Sequence, residues 1–318
     1  MLVTLGETAL RLSPPGASRL ERADRLDVEA SGPESNAGVA ARRLGEPATW
    51  LSRLPDSPLG RRVASELRGY DLDVEVSWSE GRQGLAFHER GGAPRGDDHV
   101  DDRTGSAAAS LSMDELDLDR LREADVAYVT GATPALSTDL AGATARFLKT
   151  ANDGGATTAF SLEYRPWLWE DADDARETLT GFFPAVDVFL ARERDVRAVL
   201  DRSGSSVELA HGLAANWGFE HVLLTRDRTC VGYHDATVHE YPNPAVDAVD
   251  TGGREAAFAG AFLATHAAGS DPSEALKTAV AARALAATLP GAVPAVTRAE
   301  VERVVGEVER QGDADRTR

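Results

Sequence analysis

The sequence predicts an α/β domain built on a largely parallel sheet. Short β-branched or aromatic runs alternate with longer helical patterns through most of the chain, the rhythm of strand–helix–strand crossovers. The 318 residues, 42% apolar and 27% charged, supply material for one large core and set the chain apart from disordered or fibrous sequences. Two segments interrupt the rhythm. Ala9 to Glu29 and Gln83 to Arg103 carry Pro, Gly and alternating polar positions with no helix between, which predicts strands outside the main sheet, a small β lid over its edge.

In chain order, strands are predicted at Leu2–Leu5, Ala48–Arg53, Val126–Thr130, Thr157–Leu162, Val186–Ala191 and His221–Thr225. Helical patterns lie between them at Glu34–Leu44, Pro58–Arg68, Thr138–Ala151, Asp173–Gly181 and Val207–Trp217. The second of these opens on Ser57-Pro58, an N-cap followed by a proline in the first turn, where its missing N–H costs nothing. From Glu255 the chain reads as helix to its end, apart from a break at Leu289-Pro290-Gly291 and a turn before Thr297. The polar tail Gln311–Arg318 is expected to fray. The expectation is one domain over residues 1–318, with lid segments at about 9–29 and 83–103.

Composition narrows the function. With 34 Lys and Arg against 52 Asp and Glu the formal net charge is −18, which opposes nucleic acid or an anionic membrane as partner. The one cysteine, Cys230, excludes an intramolecular disulfide framework and a cysteine-rich zinc site, and no adjacent base makes it a nucleophile. The start MLVTLGETAL has no basic stretch and carries Glu7 within its apolar run, unlike a secretory leader. Ala256 to Ser270, the longest run free of Asp, Glu, Lys and Arg, is shorter than the roughly 20 residues of a spanning helix. A soluble cytoplasmic protein is expected. Lysine occurs only at Lys149 and Lys277, every other basic residue being arginine. GC-rich coding favours Arg and Ala over Lys but does not generate so large an acidic excess. Adaptation to molar salt does, since a Debye length of about 3 Å screens crowded carboxylates.

The most informative stretch is Asp250-Thr251-Gly252-Gly253-Arg254-Glu255-Ala256-Ala257-Phe258-Ala259-Gly260. A glycine-bearing turn opening into a helix of small residues presents unpaired N–H groups and the positive end of the helix dipole, an anion site. The same pattern also reads as a loop leading into a close-packed buried helix.

At these residues the chain resembles the PfkB, or ribokinase-like, carbohydrate kinases, and within them the 2-keto-3-deoxygluconate kinases, most of all those of halophilic archaea. Ser31-Gly32-Pro33-Glu34-Ser35-Asn36 with Ala40-Ala41-Arg42-Arg43-Leu44-Gly45 is similar to the family's sugar-binding signature, and Leu51 to Arg61 continues it. Glu89-Arg90-Gly91-Gly92-Ala93-Pro94-Arg95 resembles its lid segment, while Tyr164-Arg165-Pro166-Trp167-Leu168-Trp169 and Pro290-Gly291-Ala292-Val293-Pro294-Ala295 complete the match. The resemblance implies a three-layer α/β/α sandwich with a β lid. It also implies ATP and Mg²⁺ on the C-terminal half, a sugar acid such as 2-keto-3-deoxygluconate under the lid, and in-line attack of a sugar hydroxyl assisted by a carboxylate base and an N–H-lined anion hole. Family members often dimerise through the lid, so a homodimer is implied, or pairing with an active relative.

The chain departs from the family at the chemistry. The signature Asp-Thr-x-Gly-Ala-Gly-Asp-Ala-Phe is met by Asp250, Thr251 and Gly253, but Arg254 and Glu255 replace the alanine and glycine of the anion hole and Ala256 replaces the catalytic aspartate. A positioned base contributes about 10²–10⁴-fold in rate, about 3–5 kcal/mol. Activity is therefore expected to be lost or strongly reduced. The alternatives are a working kinase using Glu255 or water as base, and a non-catalytic sugar-acid-binding or oligomerisation partner. Arg254 reads as a ligand for a phosphate or carboxylate, or as half of a surface salt bridge.

On the nucleotide side the resemblance implies Thr225, Asp227, Asp250, Thr251 and Gly253, with side chains at Asp227 and Cys230 where the family has glycine. The Asn-x-x-Glu motif tied to Mg²⁺ becomes Arg192-Glu193-Arg194-Asp195, leaving only Asp195 as a metal ligand. On the sugar side Gly32, Asn36, Arg103 and Arg165 persist, whereas Ala86 and Asp101 stand for tyrosines and Ser161 and Glu163 for Asp and Asn. Trp167 and Trp169 are expected to pack, and His88, His99, His234 and His239 to be solvated loop residues. The acidic surface carries its own test. Dialysis from molar KCl to low salt is expected to lower the thermal midpoint; a rise would refute salt adaptation.

Overall fold

A computed structural model describes residues 1–91 and 94–316. Its elements, in order, are β1 (Leu2–Leu5), β2 (Ala9–Ser13), β3 (Asp27–Ser31), α1 (Pro33–Arg43), β4 (Ala48–Pro55), α2 (Pro58–Arg68), β5 (Asp73–Ser79), β6 (Leu85–Glu89) and β7 (Asp98–Asp102). There follow α3 (Asp119–Arg122), β8 (Val126–Thr130), α4 (Thr138–Asp153), β9 (Thr157–Ser161), α5 (Ala172–Thr180), β10 (Val188–Arg192), α6 (Glu193–Val199) and α7 (Ser206–Trp217). The chain closes with β11 (His221–Thr225), β12 (Thr229–His234), β13 (Thr237–Pro242), α8 (Arg254–Ala267), α9 (Pro272–Ala286) and α10 (Arg298–Arg316).

The main sheet has the order β13-β12-β11-β10-β9-β8-β1-β4-β5, parallel from β11 to β5 and finished by an antiparallel hairpin. Parallel strands buried on both faces need apolar side chains in both directions, and β1 shows it. Val3 and Leu5 face one core with Leu140 and Phe147 of α4 and Leu209 and Leu213 of α7. Leu2 faces the other, with Val39 of α1, Val63 of α2, and Phe258 and Phe262 of α8. Three layers result. A separate sheet of order β3-β2-β6-β7 stands beyond the carboxyl ends of the main strands.

The predicted strands and long helices form within a few residues of their expected bounds. β5, the β12–β13 hairpin and α6 went unpredicted; β5 is an edge strand whose alternation, DVEVSWS, is mostly polar. The expected continuous helix after Glu255 is two helices, divided where Gly269 takes φ +78° and Asp271 caps α9 by accepting from Ser273 N. α10 carries helical backbone into the tail expected to fray, as far as Arg316, while Thr317 and Arg318 lie outside the described residues, as do Gly92 and Ala93 of the lid motif. Among the described residues no helix is long and apolar enough to cross a membrane.

Two features invite measurement. α1 and α8 meet at Gly260, where an added Cβ would stand 2.2 Å from the Ala37 carbonyl oxygen and 2.8 Å from Ala40 Cβ. Gly260→Ala is expected to cost about 1–3 kcal/mol, read as a lowered urea midpoint. Beside the C-terminal half of α8, His221 of β11 is buried, and burial first, then neighbouring His234 and His266, push its imidazole down to about 3. The unfolded chain takes up this proton near pH 6.5, the folded chain only near pH 3, so stability falls as pH drops through that window. Between pH 7 and pH 5 the loss should be about 2 kcal/mol, and His221→Phe should remove it from the denaturation curves.

Candidate active site

Between the two sheets lies a cavity of about 520 Å³. Arg11, His88, His99, Asp101 and Arg103 reach it from the smaller sheet and its ends, and Asn36, Arg165, Arg254, Ala256 and Ala292 from the helices and loops around the main sheet. Gly32 caps α1 here because a Cβ would stand 2.3 Å from the Glu7 carbonyl oxygen. Asn36, 2% exposed, donates through Nδ2 to the Ala292 carbonyl at 2.8 Å, while its Oδ1 has no hydrogen-bond partner among the described residues. That buried acceptor suits a ligand hydroxyl.

The two sugar-side arginines are tethered. Arg103 stands between Glu7, at 3.6 Å, and Asp101, at 3.3 Å, and Arg165 pairs with Glu163 at 3.1 Å. Burial raises the Glu7 carboxyl above the ordinary glutamate range against the pull of Arg103. Asp101 also accepts from Trp167 Nε1, and the Trp167 ring meets His99 edge-on at 3.6 Å. Trp167, 49% exposed, is thus a wall of the cavity and not packing as expected, whereas Trp169 does pack on the core. His88, His99, His234 and His239 lie on β6, β7, β12 and β13, none in a loop, and His88 contacts Arg11. A histidine between strand residues reads as polar punctuation in sequence, which is why these were misplaced.

α8 begins at Gly253 with no side-chain cap, so the N–H groups of Arg254, Glu255 and Ala256 have no intrahelical acceptor. A Cβ on Gly253 would stand 2.2 Å from the Ala292 carbonyl oxygen, so this turn requires glycine. Ala256 faces the lid-side cavity, with nothing to accept a proton. Glu255, one residue earlier, accepts from Arg283 Nε at 3.1 Å and Nη2 at 2.8 Å and from Thr225 Oγ1 at 2.8 Å, with Arg254 Nε 3.3 Å away. Burial works to raise its pKa, but Arg283, Arg254 and Thr225 hold it below the usual carboxylate range. Both oxygens are engaged, and the group is a weaker base than a free glutamate.

Glu255 and Arg254 also border a second cavity of about 540 Å³, lined by Arg192, Arg194, Arg197, Arg226, Arg228 and Arg283 with Glu193, Asp227, Thr225 and Thr229. Arg254 therefore joins both readings, an ion pair with Glu255 and a cation facing both cavities. The phosphates of ATP fit this guanidinium lining and the α8 N-terminus. Mg²⁺ does not fit. Glu193 is held by Arg197 at 2.8 Å and Arg226 at 3.2 Å, and Asp195 by Arg192 Nε at 2.5 Å. Asp195 borders neither cavity, and burial pushes its carboxyl up to about 6 against the pull of Arg192. Among the described residues no three metal-ligating side chains stand together.

Of the other expected nucleotide residues, Thr225 and Asp227 border the arginine-lined cavity and Thr251 the lid-side one. Asp250 borders neither; buried, it accepts from Arg11 Nη2 at 3.0 Å and Gly252 N at 2.9 Å, tying the smaller sheet to the α8 turn. Cys230 is buried, its thiol pushed up to about 12, which agrees with an inert cysteine. Sequence reasoning missed Arg11, Arg283 and Glu7. For Arg283 a signal exists: one arginine among Ala279, Val280, Ala281, Ala282 and Ala284 implies a buried partner.

Comparison with known proteins agrees with this architecture. The model of the pfkB family carbohydrate kinases matches residues 1–298. The 2-dehydro-3-deoxygalactonokinase of Haloferax volcanii is 45% identical over 315 residues, covering 98% of each chain, and the 2-dehydro-3-deoxygluconokinase of Thermoproteus tenax is 29% identical over 94% of this chain and 93% of its own. The crystal structure of the 2-dehydro-3-deoxygluconokinase of Thermotoga maritima superposes with a TM-score of 0.89 at 28% identity, over 96% of this chain and 98% of that one. With the match spanning nearly its whole length, and a lid-side cavity between a parallel sheet and a smaller one, the chain belongs to the PfkB family of carbohydrate kinases.

Proposed function

We propose that this chain binds a 2-keto-3-deoxy sugar acid in the lid-side cavity and that its phosphoryl transfer is lost or reduced by about 10²-fold or more. The carrying observation is the start of α8, where Ala256 faces the cavity and the adjacent carboxylate, Glu255, is held by Arg283 and Thr225. In the sugar pocket, Asn36 Oδ1 receives a hydroxyl, and Arg103 and Arg165 attract the carboxylate of the acid, each partly neutralised by its own acidic neighbour. This supports binding of an anionic sugar that is weaker than two free guanidinium groups would give. With the hydroxyl seated, nothing at position 256 removes its proton as the oxygen attacks. Deprotonation is left to solvent.

The competing reading, Glu255 as base, is favoured by one fact: Glu255 borders both cavities. The test measures ADP release from ATP with Mg²⁺ and either 2-keto-3-deoxygluconate or 2-keto-3-deoxygalactonate, for the unaltered chain, Ala256→Asp and Glu255→Gln. The unaltered chain should be silent or nearly so, and Ala256→Asp should gain about 10²-fold. Turnover in the unaltered chain that vanishes in Glu255→Gln would transfer the role to Glu255. Thermal stabilisation by the sugar acid reports binding separately, and its absence at millimolar concentration would overturn the sugar-acid assignment.

A further inference from the structure

The arginine-lined cavity has an unusual electrostatic composition for a chain of net charge −18. Seven guanidinium groups border it, from the end of β10, from α6, from the β11–β12 turn, from α8 and from α9, against three carboxylates. Glu193 and Glu255 are each shared between two arginines, so the pairing leaves a cationic excess. Arg228 has no ion-pair or side-chain hydrogen-bond partner among the described residues, and Arg194 has only Asp195, at 3.8 Å. Both are exposed at the cavity's border. A planar guanidinium offers paired donors that match phosphate oxygens, and several converging on one space recognise more than one phosphate. The uncapped first turn of α8 faces the same space with Arg254 and Glu255.

Two parts of a metal–nucleotide complex find little there. Among the described residues the lining contains no aliphatic and no aromatic side chain, so a purine would rest only on arginine stems and planes. A divalent cation would enter a field of excess positive charge, where the guanidinium groups already supply the neutralisation it brings to phosphates elsewhere.

We propose that this cavity binds a short chain of two or three phosphates directly, without a divalent cation and without a contribution from a nucleoside. The inference deepens the reading of this cavity as the phosphate side of the site and does not depend on the sugar acid. Arginine takes the role of the metal. ATP then binds through its triphosphate alone, and inorganic triphosphate or pyrophosphate binds as well as ATP.

Calorimetric titration of the full chain with tripolyphosphate, pyrophosphate, ATP and adenosine, in EDTA and again with excess Mg²⁺, tests this. Tripolyphosphate and ATP are expected to bind in EDTA with Kd values within about threefold of each other, adenosine not at all, and Mg²⁺ to weaken both. The double variant Arg194→Gln/Arg228→Gln, at two exposed positions, should weaken tripolyphosphate at least about tenfold with an unchanged thermal midpoint. Binding that requires Mg²⁺, an ATP affinity more than about tenfold above that of tripolyphosphate, no binding by either, or indifference to the double variant would overturn the proposal. A parallel titration with 2-keto-3-deoxygluconate reads the sugar pocket, so failure of either assignment is seen independently.

Discussion

The pair formed by Glu255 and Arg283 organises the site. It joins the first turn of α8 to the last turn of α9, and Thr225 adds the end of β11, so one carboxylate ties together three elements. Arg283 is buried and Glu255 largely so, and loss of either partner would leave the other charge unpaired where burial penalises it. The same ion pairs set the charge at the start of α8, where the Glu255 carboxylate is neutralised by the fixed guanidinium groups of Arg283 and Arg254.

From that pair the charge pattern spreads outward. A chain with 18 more acidic than basic residues concentrates arginines where its main-sheet strands end, and two of the three acids that line the cavity with them, Glu193 and Glu255, are bound in ion pairs. The lid side repeats the device at lower intensity. Glu7, Asp101 and Glu163 each accompany an arginine, and Asp250 holds Arg11 between the smaller sheet and the α8 turn. Cations are thereby placed at both cavities without leaving a buried charge alone, as burial demands. The scaffold is indifferent to these changes. Sheet order, the close contact at Gly260 and the glycine turn at Gly253 rest on packing, and packing survives exchange of the side chains that do chemistry.

How much of this was legible beforehand depended on range. Parallel strands are short apolar runs, and β1, β8 and β11 show in the sequence at their observed bounds because their burial on both faces is written locally. β5 and the β12–β13 hairpin are peripheral and more polar, and the local pattern weakens accordingly. The site was legible as a motif at residues 250–258, including its missing aspartate. Its electrostatics were not, because the partners lie far apart along the chain: Arg11 with Asp250, Glu255 with Arg283, Arg192 with the carbonyl of Tyr164.

By itself, then, the sequence determined the class of fold, the family and the absence of a carboxylate at position 256, since all three are properties of local residue order. Tertiary structure alone decided that Glu255 is engaged, that Trp167 is a wall and Trp169 a core residue, and that seven arginines share one cavity. The reason is physical. Burial, and with it the strength of a charge and the availability of a lone pair, is set by which segments the fold brings together, and a one-dimensional pattern does not carry those distances.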